Sequence, residues 1–280
     1  MELQTKKPEQ EPLDIIDSCI SAFTFTWINR AYILRVLFIP FLIMFTALSF
    51  TYYMKFDDSV IRQALCLLPA QFAEGWMIAQ ILRAVLLNQT WPVKYIKDGE
   101  FNQALFQDRS KAIKCTIIIF VLIQMAVHAL WAVLEQGYGI INSVDISETR
   151  ETKMGMAETL VLLFGIGLSI WAIRLTFIYI PAVANCSPMY LLKSMGTGFW
   201  PSVRLIGAFL FCSIPVQFVA LMLQSLLELI FDPMLGETIT DYIITLINVF
   251  FTMVIAIIIN IAIAISYKNI ILQGRKDAPL

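Results

Sequence analysis

The chain has little of what most enzymes and metalloproteins use. It contains one histidine, His128, and five cysteines without a C-x-x-C pair. The cysteines are odd in number and far apart in the sequence: Cys19, Cys66, Cys115, Cys186 and Cys212. This pattern predicts neither a zinc site nor a disulfide framework. The sequence also has no H-E-x-x-H motif, no phosphate-binding loop and no Ser–His–Asp spacing. We therefore expect no enzymatic activity and no cofactor.

Charge is also scarce. Only 15% of the residues are charged and 59% are hydrophobic, whereas about a quarter of a soluble domain is charged. Each apolar stretch is long enough to cross a hydrocarbon core of about 30 Å as a helix. There are six such stretches, at residues 33–54, 63–87, 115–134, 159–184, 205–230 and 242–267. We predict an all-α, polytopic six-helix transmembrane bundle over 13–272, between a disordered tail at 1–12 and a short tail at 273–280.

The second stretch is the least apolar, because it contains Pro69, Gln71, Glu74, Gln80 and Arg83. A central acid costs about 2.5–3.5 kcal/mol on insertion scales, so its insertion is marginal. If this stretch did not cross the membrane, the most uneven possible distribution of Lys and Arg between the two sides of the membrane would fall from 14:4 to 13:6. The charge pattern therefore favours six spans.

Lys and Arg alternate between the gaps. One side holds 14 of them: Lys6, Lys7, Arg30, Arg35, Lys94, Lys97, Arg109, Lys111, Lys114, Lys193, Arg204, Lys268, Arg275 and Lys276. The other side holds four: Lys55, Arg62, Arg150 and Lys153. The positive-inside rule places the basic side, with both termini, in the cytoplasm. A basic rim suits anionic lipid headgroups. We expect membrane lipids as partners and no nucleic acid; a protein partner or self-association stays open.

Amphipathic segments precede the spans on this basic side. Leu13, Ile16, Ile20, Phe23 and Trp27 recur with helical spacing, which predicts an interfacial helix. A second segment runs from Pro188 to Phe199, and a weaker one contains Phe101, Leu105 and Ala112. Four residues are candidate lipid-facing anchors: Trp27, Arg30, Trp200 and Arg204. The chain is either three repeated hairpin units or one bundle with ordinary amphipathic connectors; both interpretations stay open.

Polar residues inside the spans form the candidate intramembrane cluster: Glu74, His128, Arg174 and Gln217. A rise of about 1.5 Å per residue puts them at similar depths. We expect a Glu74–Arg174 ion pair, since charges in lipid face the bundle interior and pair. The cluster is interpreted as glue between helices or, alternatively, as the polar path of a small transporter or channel. Arg83, near the inner edge, is expected to extend toward lipid phosphate.

One region is similar to a known family. Arg174 and Pro181, then Leu191-Leu192-Lys193-Ser194, then Gly198-Phe199-Trp200 resemble a stretch of YciC-like bacterial six-helix inner-membrane proteins. Relatives of that family include the membrane domain fused to some glycerophosphoryl diester phosphodiesterases. Arg83 with Val85-Leu86-Leu87, together with Asp98-Gly99-Glu100, is similar to a second stretch in alphaproteobacterial members. The resemblance implies a bacterial inner membrane and no attached catalytic domain, and it implies no particular activity.

Overall fold

The computed structural model describes residues 14–54, 56, 60–92, 96–97, 100–143, 167, 170–196, 198–235 and 237–276. The predicted tail at 1–12 lies outside these residues. The described chain is all-α apart from one minimal strand pair, in which Ile96 pairs with Phe101 and Lys97 with Glu100. Its elements are α1 (Ile15–Ile28), α2 (Arg30–Tyr53), α3 (Val60–Leu87), β1 (Ile96–Lys97), β2 (Glu100–Phe101), α4 (Gln103–Ser143), a 3₁₀ helix (Ile173–Phe177), α5 (Tyr179–Ala182), α6 (Pro188–Met195), α7 (Trp200–Leu235), α8 (Glu237–Ser266) and α9 (Lys268–Lys276).

Five of these helices are long and apolar enough to cross a membrane. The qualifying segments are Arg30–Tyr53, Arg62–Leu87, Gln103–Leu130, Trp200–Phe231 and Ile239–Ser266. They confirm a helical bundle with the composition of a multi-pass membrane protein. The second stretch is helical despite its polar residues. In its most apolar 18-residue part, 56% of the residues are buried, against 22% in the corresponding part of α2. Its polar side chains are therefore held largely inside the protein.

The fourth predicted span, 159–184, falls only partly within the described residues. Its described end is irregular: the 3₁₀ helix leads through a turn at Ile178 into the four-residue α5. Residues 183–185 then form turns that lead to α6. A 3₁₀ helix and a short α-helix therefore form the end of the predicted span, in place of one continuous α-helix to residue 184.

The connectors differ from the prediction in two places. The weaker amphipathic segment around Leu105 is the first part of α4 and not a separate interfacial helix. No glycine or proline occurs between Gln103 and Gln136 to interrupt it. The predicted end of the membrane domain at 272 falls inside α9. The residues that follow this boundary also pack on the protein, since a Cβ at Gly274 would come within 2.5 Å of the Tyr190 ring.

The helix ends at one side of the bundle come together around Arg83. Arg83 and Asp108 join the end of α3 to the start of α4. Lys268 Nζ donates to the Val85 carbonyl at 3.0 Å, which brings the end of α8 to the same place. We call this side the Arg83 end. From the Arg83 end, α4 runs antiparallel to α3 toward the other end of the bundle, as the contact between Gly75 and Phe120 shows. The chain has returned to the Arg83 end at Val183, whose carbonyl accepts from Arg83.

Helix α1 packs at this end as well. Cys19 Sγ lies 3.9 Å from the Ala208 carbonyl of α7, and Ser18, Cys19 and Ala22 are buried. Ile16, Ile20 and Trp27 of the predicted apolar stripe are exposed. These three residues thus face away from the bundle, as in an interfacial helix, whereas Phe23 of the same stripe packs against the core and Leu13 lies outside the described residues. The first and last described residues, Asp14 and Lys276, belong to helices that pack at the same end.

Candidate functional site

The guanidinium of Arg83 is enclosed by polar partners at the Arg83 end. Its side chain is fully buried. Nη1 donates to the Val183 carbonyl at 2.8 Å, and Nε and Nη2 donate to Gln89 Oε1 at 3.1 and 2.6 Å. Nη2 also lies 3.2 Å from Asp108 Oδ2. The expected extension of Arg83 toward lipid phosphate is therefore wrong, because its donors are used inside the protein.

Asp108 connects four parts of the chain through one carboxylate. Besides Arg83 of α3, it accepts from Asn185 Nδ2 at 2.6 Å and lies 3.5 Å from Arg275 of α9. Asn185 also donates to the Asp108 carbonyl. The backbone of Asn185 has φ +56°, a left-handed conformation that asparagine tolerates better than most residues. We call Arg83, Gln89, Asp108, Asn185 and Arg275 the Asp108 network.

A second buried contact lies beside the first. Arg109, which directly follows Asp108 on α4, is buried and donates to the side-chain oxygen of Gln80, one turn before Arg83 on α3. The backbone carbonyl of Gln80 accepts from the Tyr32 hydroxyl of α2 at 3.3 Å. These hydrogen bonds link α2, α3 and α4 in the most deeply buried part of α3. Hydrogen bonding is what makes buried polar groups tolerable in such surroundings.

Arg174 forms a separate clamp. Its guanidinium donates to the carbonyls of Gly196, at 2.6 Å, and Gly198, and to Ser202 Oγ at 3.2 Å. Its Nε donates to the Trp171 carbonyl at 3.1 Å. These partners belong to the connection between α6 and α7 and to the first turn of α7. The predicted Glu74–Arg174 ion pair does not form, because backbone carbonyls of this connection occupy the arginine instead.

The rest of the predicted intramembrane cluster does not assemble. His128 Nδ1 lies 2.8 Å from the Gln124 carbonyl of its own helix, and Gln217 is exposed on α7. Glu74 is partly buried and lies on α3 with Gln71, whose buried amide has no hydrogen-bond partner among the described residues. The Tyr179 hydroxyl donates to Asn260 Oδ1 at 2.7 Å, a buried polar pair that the sequence analysis missed.

The four predicted lipid-facing anchors lie at the Arg83 end. Trp27 and Trp200 are 71% and 67% exposed. The Arg30 guanidinium lies 5.1 Å from the Trp27 ring centre. Arg204 is half-buried and lines a cleft of about 240 Å³ together with Trp200. This Trp–Arg rim (Trp27, Arg30, Trp200 and Arg204) lies at the same end of the bundle as the Asp108 network.

The chemistry available to these groups is charge pairing and anion binding. Among the described residues, no three His, Cys, Asp or Glu side chains come close enough to hold a metal ion. The free cysteines include one close pair, since Cys19 Sγ lies 3.4 Å from Cys212 Sγ. Burial raises the pKa of Cys19, which disfavours its reactive thiolate form.

Comparison with known proteins yields no relative. No family model matches the chain. No curated protein and no solved structure matches it significantly. The function is therefore argued from the residues themselves.

Proposed function

We propose that this chain is a non-enzymatic multi-pass protein of the bacterial inner membrane whose cytoplasmic Arg83 end binds the headgroups of anionic phospholipids. The observation that carries this proposal is the Trp–Arg rim, in which exposed indoles stand beside arginines at one end of an apolar bundle. Tryptophan favours the membrane interface. Lys and Arg near the cytoplasmic leaflet are attracted to its anionic lipids.

The orientation rests on charge and on the path of the chain. Lys and Arg are concentrated on the side that includes Arg204, Lys268 and Arg275, which is the Arg83 end. The described ends of the chain both pack there, as an even number of crossings requires. Five helices qualify as spans by length and composition, and we propose the stretch at 159–184 as the sixth.

Membership of the YciC-like family remains a proposal as well. The motif residues that carry the resemblance support it by their contacts, since Arg174 donates to the Gly198 carbonyl. Contact between these residues in the folded protein gives a physical reason for them to occur together in one motif.

The experiment measures lipid preference directly. The purified full-length protein is titrated with phosphatidylglycerol and with phosphatidylcholine in the same neutral detergent, and binding is followed by intrinsic tryptophan fluorescence. Each rim arginine contributes about 1 kcal/mol toward an anionic surface, so the two together give a preference of roughly 30-fold for phosphatidylglycerol. The preference should shrink at about 1 M salt, where the Debye length falls to about 3 Å.

The matched control is Arg62→Gln, which removes the same charge at the opposite end of α3. This variant should keep the wild-type preference. Equal binding of the two lipids by the wild-type protein would refute the proposal. A preference that Arg62→Gln abolishes would assign lipid binding to the other end of the bundle.

A further inference from the structure

A cleft opens at the Arg83 end between the end of α6, the first turns of α7 and the junction of α8 with α9. Its volume is about 240 Å³. It is lined by Ser194, Met195, Trp200, Pro201, Arg204, Tyr267 and Ile270. The lining contains one cation and no carboxylate, so the cleft suits an anion. Pockets for drug-sized ligands hold about 300–1,000 Å³; this one fits a smaller group.

The guanidinium of Arg204 is available to a ligand. It makes no hydrogen bond or ion pair with the part of the chain that the structure describes. Arg83 and Arg174, in contrast, have their donors occupied by internal acceptors. A guanidinium carries five N–H donors in a planar fork that matches two phosphate oxygens at once. Arg204 therefore presents an open phosphate-binding fork to the cleft.

Tyr267 supplies a second donor. Its side chain is only 4% exposed, yet within the described ranges its hydroxyl has no hydrogen-bond partner. Buried tyrosine hydroxyls usually have one. The hydroxyl lies close enough to the Arg204 guanidinium for the two groups to interact electrostatically. Tyr267 and Arg204 thus line the same cleft and offer it one hydroxyl and one guanidinium.

The surroundings of the cleft favour a lipid as the source of the phosphate. Trp200 at its edge is largely exposed, and the neighbouring Phe199 and Val203 are exposed apolar residues. These residues lie at the start of the segment Trp200–Phe231, with Phe199 directly before it, and this segment is long and apolar enough to span a membrane. A phosphate held by Arg204 would thus leave acyl chains beside an apolar helix surface at the depth that tryptophan prefers.

We propose that this cleft binds the phosphate of one membrane glycerophospholipid, with Arg204 and Tyr267 as its donors. This inference rests on the proposed function and makes it specific. It predicts one lipid that is retained far more tightly than the others attracted to the Trp–Arg rim.

The experiment is native mass spectrometry of the purified full-length protein, titrated with phosphatidylglycerol after delipidation. Arg204→Gln should weaken the tightest lipid by roughly 50-fold, because it removes a charge and the hydrogen bonds made by that charge. Tyr267→Phe should weaken it by about tenfold without changing any charge. Arg35→Gln, an exposed arginine on α2 outside the cleft, should lower affinity by about fivefold at most. Gel filtration confirms that each variant is folded.

The outcomes distinguish a specific phosphate site in the cleft from a general preference of the Trp–Arg rim for anionic lipids. If Arg204→Gln and Arg35→Gln weaken binding equally and Tyr267→Phe has no effect, charge alone attracts the lipid, and the cleft is not a site. The proposed function would then stand. No preference for phosphatidylglycerol in the wild type would refute the proposed function itself. If equimolar inorganic phosphate or glycerol 3-phosphate displaced the tightly bound lipid, the proposed lipid ligand would be wrong, and the cleft would bind a soluble phosphate compound instead.

Discussion

Replacing Asp108 with Asn tests whether the Asp108 network holds the Arg83 end together. The substitution keeps the shape and the acceptor for Asn185 but removes the charge that faces Arg83 and Arg275. Arg83 is fully buried, whereas the side chain of Asp108 is 33% exposed. Removing one partner of a fully buried pair costs about 3–5 kcal/mol, and an exposed pair is worth about 0–1 kcal/mol. For this mixed case we expect a loss of about 2–3 kcal/mol.

Arg275→Gln provides the matched comparison. Its guanidinium is 35% exposed and 3.5 Å from the same carboxylate, so solvent screens the pair and its loss should cost only about 0.5 kcal/mol. The assay is equilibrium unfolding of the detergent-solubilised protein in increasing SDS, followed by tryptophan fluorescence. In an Arg83→Gln background, Asp108→Asn should cost no more than about 0.5 kcal/mol, because no buried charge is left unpaired.

Two results would refute this reasoning. Equal losses for Asp108→Asn and Arg275→Gln would mean that burial of Arg83 does not strengthen its ion pair. An undiminished loss in the Arg83→Gln background would mean that Asp108 acts through other contacts.

Three further predictions concern other parts of the bundle. Arg174→Lys should destabilise the protein by about 2 kcal/mol in the same SDS assay, because an ammonium cannot reproduce the guanidinium contacts to Gly196, Gly198 and Ser202; no loss would mean that the clamp is dispensable. Cys19→Phe should destabilise the protein by about 1–3 kcal/mol in the SDS assay, because Cys19 Sγ lies 3.4 Å from Cys212 Sγ and a larger side chain would overpack the contact; no loss would contradict the packing of α1 on α7. In a cysteine-free variant, Arg62→Cys should react with an impermeant maleimide added to intact cells and Lys193→Cys should not; the reverse pattern would invert the orientation.

The helical membrane segments could be predicted because hydrophobic length is a local property of the chain. The polar second stretch is a helix for a reason the sequence does not contain directly: α3 is largely enclosed by its neighbours. The exposed stripe on α1 was predictable from helical periodicity. In α6, Pro188 begins the helix and Gly196, with φ +77°, follows its end, and both are recognised signals.

The candidate intramembrane cluster was predictable only in part. Depth along a helix follows from residue number, but the direction of a side chain around the axis and the path of the connections do not. Gln217 was predicted from its depth to face the bundle interior, but it is exposed. Arg174 was assigned to the membrane interior because 159–184 was interpreted as one span. Its actual acceptors include the backbone carbonyls of Gly196 and Gly198 in a connection, and such acceptors have no sequence signature.

By itself, the sequence determined that the chain forms long apolar helices, which end of the bundle is basic, and which tryptophans and arginines lie near the helix ends on that side. These properties depend on composition and on periodicity over one or two turns. Tertiary structure alone decided that the Arg83 guanidinium binds Asp108 and the Val183 carbonyl, whereas Arg204 lines a cleft. The two arginines are chemically identical, and what distinguishes them is whether acceptors from distant parts of the chain surround the guanidinium. That arrangement exists only once the helices have packed.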